Sequence, residues 1–205
     1  MSKRLKPHQY LDAIQFSERI ADPGLWIRCA EELLASAHIL ETEVKQYWAE
    51  VHVEGTRVVS APSRPSPQGP YFLLAAYALE NYFKAVLIHR NAEFLRNRLL
   101  SCIPGYLKKH DLVRLAEDTG LTLDVPEQEL LSRLTRNSTW AARYPVPTGP
   151  DLLHAVTEFS DGRAYLTAYL APGDVDRINA FVGRLSTFAH QEIGESHNKP
   201  AGGDA

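Results

Sequence analysis

Residues Tyr71 to Ile88 read YFLLAAYALENYFKAVLI. Apolar side chains fill nearly every position, so a helix here has no water-facing side and must be packed on several flanks at the centre of a bundle. Its main polar residues are Glu80, Asn81 and Lys84. In so apolar a helix these have to aim at a shared polar pocket or an interface. Glu80 and Lys84 stand one turn apart in the favourable acid-before-base order. On a solvated face such a pair contributes only about 0.2–0.5 kcal/mol, whereas a buried pair needs further hydrogen bonds.

A packing partner lies upstream. After Asp22-Pro-Gly, the residues Trp26, Ala30, Leu33, Ala37, Leu40, Val44 and Tyr47 alternate at steps of four and three, one long amphipathic stripe. VHVEGTRVV, Val51 to Val59, has two β-branched runs around Glu54-Gly55 and reads as a short hairpin. SAPSRPSPQGP, Ser60 to Pro70, is a proline-rich connector expected to exclude helix.

Downstream, a short helix is expected after His110, with Asp111 in its first turn and Gly120 as its C-terminal cap. Another starts near Pro126, where Asp124 and Glu127 have capping-box spacing, and is expected to run to about Arg143 before Pro145 and Pro147 stop it. HAVTEF and RAYLTAYL flank Ser160-Asp161-Gly162 as a second hairpin. A last amphipathic helix opens at Asp174, with Val175, Ile178, Phe181, Val182, Leu185 and Phe188 along one face.

The resulting expectation is a mainly α, up-and-down bundle carrying one or two short β-hairpins. One domain spans residues 22–195, with insertions at 51–70 and 152–170, behind an extension at 1–21 and before a disordered tail at 196–205.

The bulk composition suits that size. The chain has 205 residues, 44% hydrophobic and 23% charged, enough for one ordinary core. A net charge of -3 gives no global basic field for nucleic acid, though it leaves room for a local patch. Cys29 and Cys102 form no metal-ligand or disulfide pattern, so no metal is expected and a reducing compartment is. The basic start MSKRLKPHQYLDAIQF lacks a signal-peptide apolar run, and no uncharged stretch approaches about 20 residues. The expected location is the cytoplasm, without a membrane partner. Neither a Gly-rich phosphate loop nor a GxSxG or HExxH motif is present, and no cofactor is expected.

YALENYFKAVLI, KKHDLVRLAE and the helix ending in WAARYPVP, in this order, resemble the HEPN superfamily, the higher eukaryotes and prokaryotes nucleotide-binding domain. The resemblance covers roughly Leu25 to Tyr144 and the final helix, and leaves both hairpins unexplained. It implies a compact all-α bundle, frequently a homodimer, of the kind found in RNA-cleaving toxins, in non-catalytic partners of minimal nucleotidyltransferases, and in other defence or stress systems. Glu80, Asn81, Lys84, His110, Arg136 and Arg143 are then the candidate polar cluster, and RNA, a nucleotide or a partner protein such as a nucleotidyltransferase the candidate ligands.

The family's ribonucleases carry an Arg followed, after four to six residues, by His. Histidine moves the proton on the RNA 2′-hydroxyl while arginine offsets the phosphate charge, and no metal is needed. Neither Arg136 nor Arg143 has a histidine at that distance. Arg184 and His190 in the last helix do match, but 15 arginines and 8 histidines in 205 residues give about one or two such matches by chance. Six residues apart, the two also lie about 120° apart around a helix.

The leading expectation is therefore an RNA- or nucleotide-binding regulatory module without the usual nuclease motif. The alternatives are a metal-independent endoribonuclease using Arg184 and His190, or a rearranged set with Arg136 and His110, and a helical interaction scaffold. WAARYPVP is expected to tie Arg143 to Glu80 through a planar guanidinium–carboxylate contact.

Overall fold

A helix without a polar face is stable only when other helices cover it, and the fold is organised to cover one such helix. The structure, a computed structural model, describes residues 7–54, 57–97, 102–141, 156–158, 164–166, 171 and 173–195. It is a mainly α bundle: α1 (Pro7–Ile20), α2 (Pro23–Ala49), α3 (Gln68–Arg90), α4 (Ala92–Arg96), α5 (Leu112–Thr119), α6 (Val125–Arg136) and α7 (Asp174–Glu195). Two antiparallel hairpins accompany them, β1 (His52–Glu54) with β2 (Arg57–Ser60), and β3 (Val156–Glu158) with β4 (Ala164–Leu166).

The quoted segment forms most of α3, and 14 of that helix's 23 residues are buried, including Leu79 and Phe83. By length and apolarity α3 could cross a membrane, but 78% of its most apolar window is buried by the rest of the chain. The stripe on α2 covers α3 along most of its length, with Trp26, Leu33 and Leu40 packed on the core and Ala30, Ala37 and Val44 buried within it. The two helices run antiparallel. Lys84 lies over Trp26 near one end, while Tyr71 at the other reaches Glu41 through Asn179, at 3.5 and then 3.0 Å. The other side of α3 receives α5 and α7, and Arg90 fastens its last turn to Thr119 and Glu192.

Local chemistry sets the helix ends. Asp22 caps α2 by accepting from Gly24 at 2.9 Å, with Pro23 at the first helical position. Asp111 caps α5, and Gly120 ends it at φ +71°, a left-handed conformation that favours glycine. Asp124 and Glu127 form a reciprocal capping box on α6 at 2.8 and 3.0 Å.

Three expectations change. Helix α3 begins at Gln68, so the connector's last three residues form its first turn; Pro70 fits there because its missing N–H has no intrahelical acceptor to lose. The α geometry of α6 stops at Arg136 and widens into a π-helical turn, Asn137–Ala141. Residues 142–147 of the proline stop, like the tail at 196–205, lie outside the described residues. The extension at 1–21 contains α1, which packs on α4 and buries Ser17 and Ile20.

One core contact joins the last two long helices. Arg133 of α6 donates through Nη2 to Asp174 Oδ1 at 3.0 Å and through Nη1 to Oδ2, with side chains only 5% and 2% exposed.

Candidate functional site

The polar residues of α3 converge with His110. Glu80 and Lys84 are both buried, and Lys84 Nζ donates to Glu80 Oε1 at 2.6 Å. The same carboxylate receives His110, whose Nδ1 lies 3.1 Å from Oε1 and 3.0 Å from Oε2. The Lys84 ammonium also sits 6.0 Å from the Trp26 ring centroid, at the outer edge of cation–π range. Glu80 thus has the additional hydrogen bonding that a buried carboxylate requires.

His110 differs from its partners in being exposed, at 62% of its side chain. Anchors on both sides hold it. Before it, a 3-10 turn at Gly105–Lys108 buries Leu107. After it, the Asp111 carboxylate accepts from Val113 and Arg114 at 3.1 Å each, and the Leu112 amide donates to Thr135 Oγ1 of α6 at 3.0 Å. The ring meets Glu80 with Nδ1, so a carboxylate, which only accepts, places the proton on that nitrogen. The lone pair is then on Nε2, in a side chain that is 62% exposed. The arrangement can accept a proton, hold a phosphate oxygen once protonated, or act as a nucleophile.

The other cluster candidates are placed differently. Asn81 spends its amide on the Tyr77 carbonyl of its own helix, at 2.7 Å. Arg136 is half-buried at the end of α6. The π-helical turn after it packs on α3 and buries Asn137 and Ser138; the Asn137 Oδ1 has no hydrogen-bond partner among the described residues. Such turns recur where a helix must carry function as well as packing. Arg143 and its expected contact with Glu80 lie outside the described residues.

Arg184 and His190 are not brought together. Arg184 donates to Glu127 at 2.6 Å and to the Thr122 carbonyl at 3.2 Å, with its guanidinium 5.3 Å from the Phe181 ring centroid. It borders a hollow of about 310 Å³ between α6 and α7. His190 instead turns toward α2, with Nδ1 2.8 Å from its own helix's Ser186 carbonyl and Nε2 3.9 Å from Glu31. Among the described residues, no three His, Cys, Asp or Glu side chains gather as metal ligands.

Sequence reasoning missed the buried Arg133–Asp174 pair. A signal was present, because Arg133 shares the inward face of α6 with Leu130 and Leu134, where a cation needs a partner. Nothing in the spacing pointed to Asp174, 41 residues away. Compared with known proteins, the chain matches no family model, no curated protein and no solved structure.

Proposed function

We propose that the chain is a HEPN-like RNA- or nucleotide-binding regulatory module that presents His110 as its phosphate-contacting group. The observation that carries this reading is the Lys84–Glu80–His110 relay, in which two buried charges hold one exposed imidazole in a fixed orientation. Lys108, exposed at the end of the 3-10 turn two residues earlier, is a nearby cation in the chain. The separation of Arg184 from His190 favours binding over cleavage by that pair. A homodimer, and a partner such as a nucleotidyltransferase within a toxin–antitoxin, defence or stress system, belong to the same proposal through the family resemblance.

The test is fluorescence anisotropy with a labelled single-stranded RNA, and with ATP as competitor, at low and at physiological salt. Binding weakens with salt and falls further in His110→Ala. An unchanged affinity in that variant ends the reading. A second reading, metal-independent RNA cleavage with His110 as the proton-transfer group, is favoured by Glu80 fixing the ring as a carboxylate orients a general base. Cleavage of the same RNA in EDTA, lost in His110→Ala, identifies it.

A further inference from the structure

We propose that His110 is a phosphoryl-acceptor residue, modified at Nε2 by a small phosphoramidate-type donor. The inference concerns covalent regulation of the face described above, and its effect on RNA or nucleotide rests on that binding reading; the acceptor chemistry itself rests on geometry alone.

Four features of the site converge on it. Nδ1 lies 3.0 Å from a carboxylate oxygen that can only accept, so the proton is on Nδ1 and the nucleophilic lone pair on Nε2. The carboxylate is itself fixed, because Glu80 is buried and bound by Lys84 at 2.6 Å. The side chain is 62% exposed, so a donor can reach the ring. Lys108, two residues away, is an exposed cation, whereas Lys109 is engaged with Asp118 at 2.8 Å.

In the reaction, the Nε2 lone pair attacks phosphorus of the donor in its N-protonated (–NH3⁺) form. The new N–P bond forms as the donor's P–N bond breaks, and the nitrogen leaves as ammonia, carrying away the bonding pair. The ring keeps its Nδ1 proton and gains positive charge, which Glu80 balances. No oxidant or reductant takes part. The product carries a dianionic group where the free imidazole stood, and it repels a phosphate ligand from the same face.

Two other described histidines, His190 and His38, lack this setting. His190 directs Nδ1 at a backbone carbonyl and Nε2 toward Glu31, and His38 is exposed on α2. They serve as internal controls.

The experiment incubates the intact protein with potassium phosphoramidate near neutral pH, follows phosphohistidine by ³¹P NMR, and maps it by mass spectrometry under non-acidic conditions. The expected result is Nε2-phosphohistidine at His110, forming about tenfold faster than at His38 or His190, with the advantage lost in Glu80→Gln. Because the comparison is made within the wild-type chain, it stands even where Glu80→Gln fails to fold. Equal rates at the three histidines, or modification of His110 at Nδ1, overturn the proposal. Anisotropy on the unmodified protein is read separately: absent RNA and ATP binding sinks the binding reading and leaves the labelling result intact.

Discussion

Arg133 and Asp174 meet as a guanidinium fork on a carboxylate across the α6–α7 contact, and the Ala171 amide donates to the same carboxylate at 2.7 Å. Removing one partner strands the other's charge in the core. Asp174→Ala is expected to lower unfolding free energy by about 3–5 kcal/mol in urea titrations. The double variant Arg133→Met, Asp174→Leu, which removes both charges, should lose less. A single-variant loss as small as that of a surface pair would show that the contact is not isolated from water.

In the Lys84–Glu80–His110 relay, the buried and exposed members separate stability from function. Lys84→Met leaves Glu80 uncompensated and is expected to cost about 3–5 kcal/mol. His110→Ala, which removes a hydrogen bond to the buried carboxylate but no buried charge, should cost less, about 1–3 kcal/mol. Denaturant midpoints decide the order, and a larger loss for His110→Ala would reverse the roles assigned to the two residues.

Alkaline stability should depend on Tyr71. Burial, followed by the nearby Glu41 and Asp176 charges, pushes its hydroxyl well above the usual tyrosine range. Below about pH 10 the tyrosine is protonated both folded and unfolded, and its contribution is complete. As pH climbs past that point the unfolded chain ionises first, so stability falls toward the folded group's higher value. Thermal melts across this window should drop less steeply for Tyr71→Phe than for the native chain; parallel slopes would refute the assignment.

Arg184→Ala and His190→Ala test the motif match in the last helix. Arg184 bridges α6 and α7 at the surface, so its loss is expected to cost under about 1 kcal/mol. RNA affinity should stay unchanged in both variants. Loss of RNA cleavage or binding in either one would restore that pair as the site.

How legible this protein is from its residues depends on the range over which each signal acts. Helix α3 was readable because its lack of a polar face is a property of the segment itself, and the caps at Asp111, Gly120 and Asp124 act within one turn. Helix α1 was missed although Ala13, Phe16, Ser17 and Ile20 lie at helical spacing, because its exposed Tyr10 and Leu11 blur the stripe. The π-helical turn escaped notice since nothing in Asn137–Ala141 forbids an ordinary helix. At the candidate site, Glu80 and Lys84 stand out by contrast with their apolar helix, and His110 by its place just ahead of the α5 cap and by the family resemblance. Their joining depends on where α5 docks, through Thr135 and Leu112, a tertiary relationship that no local pattern contains.

The absence of a polar face on α3 also has a consequence on the ribosome. Its cover is completed only by α7, whose last buried residue, Ala189, follows Ile88 by about 100 residues. At about 5–20 residues/s, the nascent chain therefore holds an apolar helix incompletely covered for about 5–20 s after Ile88 is added. Translation pauses within that interval prolong the time for which this apolar segment lacks its full cover, the condition under which incompletely folded chains aggregate.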